Sequence, residues 1–404
     1  MTGLLPLLPV MLPPGPSPLD NPLKGYASYA DSWFKTQGPV SMGYFYVSWK
    51  ELEPEEGKYA WEKLEKRWDS GVAKGKHVVL RLFLEYPGQP YGVPDWVPVR
   101  TIDYKDYKGG KTPDYKDPKL MEPLLRFIAA FGARYDTNPR VAFIALGTLG
   151  HWGEWHTWPS EHLFAPVEVQ NQVVDAYKKA FPTVPILARY ALSPSTNLPW
   201  LGYHDDYFPV DTLEGKDRMW RFLPAMKIAG RTENWKVAPI GAEIEPDKGG
   251  KWLGEGWDQT LSAAQQIHLS WIGPYSPAID EKLPERSDEL IQKIGYDFRL
   301  RRLDERADGG GWRVTVQGMN QGIAPFYRAW PIRLKDFATG KVYTSDADVR
   351  KWLPGPIAAS FALPAEPKGA LGFGIEDPWT SKPAISFANT LPKKEGWTIV
   401  RSAK

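Results

Sequence analysis

Residues 141–156 read Val-Ala-Phe-Ile-Ala-Leu-Gly-Thr-Leu-Gly-His-Trp-Gly-Glu-Trp-His. The run begins with consecutive apolar residues, which is typical of a strand buried on both faces of a parallel sheet. It continues into three glycines and one carboxylate, and glycine permits tight turns and close approach of the backbone. The stretch therefore predicts a buried strand that ends in an irregular turn carrying Glu154.

Short β-like runs alternate with amphipathic helical stretches on both sides of this strand, up to about residue 295. Apolar residues recur at three- and four-residue steps before the third, fourth and fifth runs, which indicates helices. Such alternation is typical of parallel strands joined by crossover helices. The predicted strands are 24–29, 41–48, 76–83, 141–146, 185–190, 201–204, 237–243 and 267–271.

Eight such strands predict an α/β fold, a closed (β/α)₈ TIM barrel, over residues 1–295 with a Pro-rich N-terminal arm. The pattern changes after residue 295, where strand-like runs are separated by Gly- and Asp-rich turns. The predicted strands here are 298–303, 312–316, 332–335 and 357–361. We expect residues 296–404 to form an antiparallel β-sandwich domain.

Composition narrows the class of function. The chain has a net charge of +2 and no cysteine, and its basic and acidic residues are interspersed, so nucleic acid is not expected as a partner. The chain also contains 19 Trp and 19 Tyr. Aromatic rings stack on the C–H faces of sugars, so we expect a carbohydrate substrate.

The N-terminal apolar run at residues 4–12 is broken by prolines and has no basic residue before it, so it resembles a signal peptide only weakly. We expect it to be an arm, and we expect the protein to be secreted or periplasmic. No apolar run approaches the ~20 residues that a membrane span needs. The oligomeric state is open.

Carboxylates are the candidates for chemistry, because functional groups of such barrels project from the carboxyl ends of the strands. Glu154 follows the fourth strand among tryptophans, where burial should raise its pKa and suit it to protonate a glycosidic oxygen. Glu243 and Glu245 end the seventh strand and share one face of it. Either could complete a pair of carboxylates, and we favour Glu243 because it follows two small residues.

Carboxylates after strands four and seven resemble the arrangement of clan A glycoside hydrolases. Residues 49–61, with Trp, Glu-Pro and Gly-x-Tyr-x-Trp, resemble the segment after the second strand of those enzymes. Four further segments resemble a little-characterised bacterial family with a glycosidase-like barrel followed by a β-sandwich, namely 21–26, 153–154, 203–208 and 320–327. The resemblance implies a retaining hydrolase with Glu154 as acid/base and Glu243 as nucleophile. In clan A, Asn usually precedes the acid/base, whereas here the residue is Gly153.

Other residues near the strand ends are candidates for binding substrate. Arg81 and Arg189 could hold a substrate carboxylate or orient a catalytic Glu. Aromatic candidates for stacking on a sugar are Trp49, Trp152, Trp155, Tyr203 and Trp271. Polar candidates are His151, Asp205, Asp206 and Glu245. We expect no metal and no cofactor, because side chains in the run His204-Asp-Asp point in different directions.

The sequence therefore predicts a glycoside hydrolase that cleaves a poly- or oligosaccharide. Two alternatives stay open. One is a non-catalytic carbohydrate-binding barrel, favoured by the missing Asn. The other is a carbohydrate lyase that binds a uronic acid through Arg81 or Arg189. The sugar, its linkage and the position of cleavage along the chain are not predicted.

Overall fold

The computed structural model describes residues 9–30, 36–213, 221–245, 247–279 and 283–403. It divides into two compact units, one of residues 26–287 and one that combines residues 1–25 with 288–404. Most of the apolar run at 4–12 lies outside the described residues, as does Pro246 beside Glu245. None of the described helices is long and apolar enough to span a membrane.

In the described residues, eight parallel strands close into a barrel and follow one another around it in chain order. The predicted α/β fold with a closed eight-stranded barrel is therefore confirmed. The strands are Gly25–Tyr29, Met42–Ser48, His77–Glu85, Val141–His151, Ile186–Ala188, Gly202–Phe208, Ile240–Ile244 and Leu269–Ile272. The largest difference is at the fourth strand, which continues five residues past its predicted end and brings its turn closer to Glu154.

Helices connect the strands. They pack against the barrel because their apolar residues fall on one side of the helix. In the helix after the third strand, Leu124, Phe127, Ile128 and Phe131 are fully buried. Asp117 caps this helix by accepting a hydrogen bond from Lys119 N at 3.1 Å. The α-helices are Trp49–Leu52, Trp61–Trp68, Pro118–Tyr135, Val167–Ala180, Phe222–Ile228, Gly249–Leu253, Trp257–Gln266 and Pro284–Lys293.

The segment between the third strand and its helix contains a hairpin of Thr101–Tyr104 and Gly110–Pro113. Thr112 and Tyr115 anchor it by donating hydrogen bonds to buried Glu85, at 2.7 and 3.1 Å. Glu85 also binds His151 Nδ1 at 2.9 Å. The hairpin region is thereby tied to the ends of the third and fourth strands.

The other unit consists of antiparallel sheets in its described residues. One sheet contains Val10–Met11, Phe298–Asp308, Gly311–Asn320 and Gly355–Leu363; the other contains Ile332–Asp336, Val342–Thr344, Leu371–Asp377, Lys382–Pro383, Lys393–Lys394 and Trp397–Arg401. The four predicted strands here all occur. The sequence pattern missed the strand Leu371–Asp377, because its two glycines suggest a turn. A Cβ at Gly372 would lie 2.7 Å from the Trp397 side chain, so glycine at this position allows the close packing of the two strands.

Candidate active site

The turn after the fourth strand holds Glu154 in a strained backbone. Trp152 and Trp155 both have positive φ, 56° and 62°, which non-glycine residues rarely adopt. Hydrogen bonds from His151 N to His156 O at 2.8 Å and from Trp155 N to Leu149 O at 2.9 Å close the turn on itself. The indole of Trp155 also donates to Gly147 O at 3.0 Å. Glu154 is therefore held by a rigid turn.

Gly153 has a structural reason to be glycine. Its φ is +67°, and a Cβ there would lie 2.6 Å from the carbonyl oxygen of Leu82 in the third strand. No side chain fits that space unless the backbone moves. The path of the turn therefore leaves no room for the Asn that clan A enzymes usually have at this position.

Two arginines bind the carboxylate of Glu154. Arg81 Nη1 donates to Oε1 at 2.8 Å, and Arg189 Nη1 donates to Oε2. The hydroxyl of Tyr46 contacts Oε1 at 3.4 Å, and His156 Nε2 lies 3.7 Å from Oε2. Both carboxylate oxygens are therefore engaged by positive or hydrogen-bonding groups.

Asp206 shares these arginines. Its Oδ2 lies 2.9 Å from Arg189 Nη1 and 3.8 Å from Arg81 Nη1, and its Oδ1 is bound by His204 Nδ1. The Arg81 and Asp206 side chains are only 3% and 4% exposed. The negative and positive charges of the two carboxylates and two arginines balance, which reduces the cost of burying them.

The prediction that the pKa of Glu154 is raised is wrong. Burial does raise the pKa of this carboxyl, but Arg189, His156 and Arg81 together outweigh burial and the negative charge of Asp206, so the pKa lies below its ordinary value of 4.5. The residues around Glu154 in sequence include tryptophans and histidines, and they give no sign of the arginines. The arginines arrive from other strands, at distances in sequence of 35 residues or more.

Glu243 ends the seventh strand in a different setting. Its pKa lies well above 4.5 because of burial, with the negative charges of Asp206 and Glu154 adding to the shift. Among the described residues, no Lys, Arg or His forms an ion pair with it. Its negative charge in turn raises the pKa of Tyr29 and Tyr275, which are already raised by burial; their rings lie 5.0 Å apart.

Two pockets lie in the barrel unit; Glu154 lines the first, and Glu243 lines neither. The first, of about 480 Å³, is lined by Glu154, Arg189 and Asp206 and by the exposed rings of Tyr107 and Trp158. The second, of about 800 Å³, is lined by charged and polar residues and by seven aromatic ones, namely Tyr29, Tyr44, Tyr46, Phe83, Tyr86, Tyr91 and Tyr275. The site thus offers polar groups beside aromatic surfaces, as sugar binding requires.

The structure brings together Glu154, Arg81, Arg189 and Asp206 from the predicted set, with Trp152 also lining the first pocket. Asp205 borders that pocket, but its carboxylate accepts hydrogen bonds from Thr212 Oγ1 and, at 3.2 Å, from Tyr207 N. Burial raises the pKa of Asp205 to about 6. Asp205 is therefore occupied by its own loop.

Other predicted residues lie away from the pocket surfaces. Trp49 is fully buried against Phe127 and donates to Glu53 at 2.7 Å, so it belongs to the core. Trp271 is also fully buried and stacks on Phe143 at 6.0 Å. A sugar cannot stack on either ring in this arrangement.

Three more candidates have local roles. His151 is fully buried with Glu85, and Tyr203 donates to Thr196 O at 2.8 Å. Glu245 is half-buried, and its charge, added to burial, raises the pKa of Tyr207. None of the three lines either pocket.

The sequence reasoning missed Tyr46, His156, Tyr107 and Trp158 as site residues. Tyr44 and Tyr46 could have been found, because side chains two apart on a strand share one face. Tyr107 and Trp158 lie in loops whose course the pattern does not encode. The described residues contain no group of three or more His, Asp or Glu arranged to hold a metal ion.

Comparisons with known proteins give distant structural similarity only. No family model and no curated protein matches the chain. Endo-glycoceramidase II from Rhodococcus sp. in complex with ganglioside GM3 aligns at a TM-score of 0.43 and 14% identity, covering 86% of this chain and 99% of that one. A GH5_18 protein from Bifidobacterium longum aligns at 0.39 and 10% identity, covering 68% and 75%. The Pseudomonas stutzeri endoglucanase Cel5A aligns at 0.34 and 12%, covering 58% and 72%.

Proposed function

We propose that this protein is a glycoside hydrolase that acts on a poly- or oligosaccharide through Glu154 and Glu243. The observation that carries the proposal is the pair itself: two carboxyl groups largely shielded from water at the ends of the fourth and seventh barrel strands, with pKa values displaced in opposite directions. Glycosidases need one protonated and one ionised carboxyl at neutral pH.

The pockets support a saccharide as the substrate. Aromatic rings supply the apolar faces against which sugar rings pack, and the charged groups beside them supply hydrogen bonds to hydroxyls. Glu154 lines a pocket of about 480 Å³, and a second pocket of about 800 Å³ is lined in part by tyrosines. A retaining mechanism, implied by the resemblance to clan A enzymes, is part of this proposal.

A uronate-directed lyase has less support. Arg81 and Arg189 would have to hold the substrate carboxylate, yet both already bind Glu154 and Asp206 within 4.0 Å. A substrate carboxylate would have to displace a buried ion pair. Products absorbing in the ultraviolet would identify a lyase in the assay below.

The experiment is hydrolysis of a panel of plant and microbial polysaccharides and of aryl glycosides, with analysis of the products. Wild-type protein should release sugar, and Glu154→Gln and Glu243→Gln should each abolish hydrolysis of the polysaccharide. Glu233→Gln, at an exposed ion pair with Lys236, is the matched control and should be fully active. Wild-type-like activity in both site variants would contradict the proposal.

A second candidate, a carbohydrate-binding barrel without catalysis, is favoured by one observation. Both oxygens of Glu154 are already bound by arginines, as in a purely structural ion cluster. Calorimetric binding of a polysaccharide with no product after prolonged incubation would favour this candidate over the hydrolase.

A further inference from the structure

The residues that line the second pocket carry more positive than negative charge. Three of them, Lys50, Arg67 and Lys108, are cations, and one, Glu51, is a carboxylate. We propose that this pocket is a subsite for an anionic sugar unit, one that carries a carboxylate or a sulfate ester. The substrate of the proposed hydrolase is then an acidic saccharide, so this inference rests on the proposed function and names its substrate class.

The first pocket has the opposite balance of charge. Four of its lining residues are Asp or Glu, and two are Arg. One of those arginines, Arg189, is already bound by Glu154 and Asp206. Because like charges brought together repel, an anionic group is disfavoured in the first pocket. The contrast between the two pockets therefore assigns the anionic sugar unit to the second.

The three cations reach the second pocket from different parts of the barrel unit. Lys50 lies on the short helix Trp49–Leu52, Arg67 on the helix Trp61–Trp68, and Lys108 in the turn of the hairpin after the third strand. Cations that line one pocket repel one another, and a bound anion lowers that repulsion. Lysine and arginine also form strong, charge-assisted hydrogen bonds to carboxylate and to other oxyanions.

The ion pairs already present at this pocket do not oppose an anion. Arg67 binds Glu51 at 2.5 Å, so the carboxylate that lines the pocket is neutralised by its own partner. Lys50 pairs with Asp95 at 2.6 Å, but the two side chains are 44% and 83% exposed. Exposed pairs are weak because water screens them, so Lys50 can exchange Asp95 for a substrate anion at little cost.

Lys108 supplies a positive charge at a fixed place. Within the described part of the chain, no carboxylate lies within ion-pair distance of its ammonium group. Its stem lies over Gly88, where an added Cβ would be 2.9 Å from the Lys108 Cβ and 3.0 Å from its Cδ. Gly88 N also donates to Gly109 O at 2.7 Å, which ties the hairpin turn to the end of the third strand. The ammonium group is therefore held at the pocket by a packed stem.

The second pocket adjoins Glu154 through Tyr46. The Tyr46 side chain lines this pocket, and its hydroxyl lies 3.4 Å from Glu154 Oε1 and accepts a hydrogen bond from Arg81 at 3.0 Å. Tyr107 and Lys108 are neighbours in the hairpin turn, yet Tyr107 lines the first pocket and Lys108 the second. A saccharide in the second pocket therefore lies next to the proposed catalytic site.

Matched pairs of saccharides test the subsite. Oligogalacturonate and hyaluronan oligosaccharides are compared with their carboxyl-reduced forms, and carrageenan oligosaccharides with their desulfated forms. Calorimetry measures Kd, and initial rates measure KM where the protein hydrolyses the saccharide. The wild type should bind at least one acidic saccharide about 10-fold or more tightly than its neutral form, and added salt should weaken only the acidic one. The pair that shows the preference identifies carboxylate or sulfate as the group bound.

Variants of the hairpin turn test the role of Lys108. Lys108→Met removes the charge and keeps a stem, so it should weaken binding of the acidic saccharide about 10-fold and that of the neutral form less than about 2-fold. Lys108→Arg should restore most of the affinity. Lys105→Met is the matched control, because Lys105 is exposed in the same hairpin turn and lines neither pocket. It should bind both saccharides as the wild type does.

Two outcomes would overturn the subsite. One is the lack of any preference for the acidic member of every pair, even if the protein hydrolyses the neutral members and the proposed function stands. The other is a loss in Lys105→Met as large as that in Lys108→Met, since the attraction would then be general to the surface. A preference that depends on Lys108, without release of sugar, would support the subsite and contradict the proposed hydrolase.

Discussion

The carboxyls at the ends of the fourth and seventh strands are both largely shielded from water but have opposite electrostatics. Glu154 at the first is bound by two arginines, and Glu243 at the second is surrounded by tyrosines with no paired cation among the described residues. Burial pushes both pKa values upward, yet only Glu243 ends above its ordinary value. Burial acts in the same direction on both carboxyls, so the cations that bind Glu154 account for the difference between their pKa values.

The largest effect should come from removing an arginine from the fourth-strand cluster. In Arg81→Met, Glu154 and Asp206 would share one arginine, and breaking a buried pair typically costs about 3–5 kcal/mol. Urea denaturation measures the free energy of unfolding. The control Arg100→Met removes an exposed pair with Asp114, and it should change stability little because water screens such pairs. A loss below about 1 kcal/mol in Arg81→Met would mean that the cluster contributes little.

The second prediction concerns the turn that holds Glu154. Gly153 and Gly230 both have positive φ, but a Cβ meets the Leu82 carbonyl at the first and nothing within 4 Å at the second. Both Ala variants should lose about 1–2 kcal/mol from backbone strain, and Gly153→Ala should lose about 1–3 kcal/mol more from overpacking. Equal losses in the two variants would show that the close approach is harmless.

The third prediction uses pH to separate the two carboxyls. Glu243 has a raised pKa in the folded state, so its contribution to stability is present below about pH 4.5 and is lost as pH rises through the raised value. Glu154 has a lowered pKa, so its contribution is present above about pH 4.5 and is lost as pH falls through the lowered value.

Unfolding free energies of wild type and both Gln variants should be measured across this range. The stability of Glu243→Gln relative to wild type should increase as pH rises. That of Glu154→Gln should increase as pH falls below about 4.5. Slopes of the same sign would remove the contrast between the two sites.

The smallest effect is expected at the rim of the first pocket. Trp158 is 49% exposed there, so Trp158→Ala should leave stability within about 0.5 kcal/mol. An aromatic contact of about 0.5–1.5 kcal/mol corresponds to a rise in KM of about 2- to 12-fold with kcat unchanged. Val237→Ala, at a residue 64% exposed and outside both pockets, is the control. An unchanged KM would exclude Trp158 from substrate binding.

Much of the barrel could be predicted from the sequence because each strand is a short apolar run between amphipathic stretches. The helix over Pro118–Tyr135 follows from the spacing of Leu124, Phe127, Ile128 and Phe131, which packing then buries completely. Strand ends were harder to predict. Val141–His151 stays in the sheet through two glycines that the pattern reads as a turn.

The members of the arginine cluster could be predicted, but not their pairing. Arg81, Arg189 and Asp206 were candidates because they lie near the ends of predicted strands. The distances between their side chains depend on how the barrel closes, which the sequence pattern does not give. The aromatic candidates show the same limit. Trp49 and Trp158 look alike in sequence, yet one packs on Phe127 in the core and the other is half exposed at a pocket. Burial is a tertiary property that the identity of a single residue does not encode.

Gly153 also constrains how this chain could change over time. An Asn at this position, as clan A enzymes usually have, would place its Cβ 2.6 Å from a carbonyl oxygen of the neighbouring strand. A mutational path to the common Asn-Glu pair would therefore have to pass through a poorly folded intermediate or begin by reshaping the turn. Laboratory selection for a new sugar specificity would face the same barrier, and accepted substitutions should accumulate in the loops of Tyr107 and Trp158 before they reach residue 153.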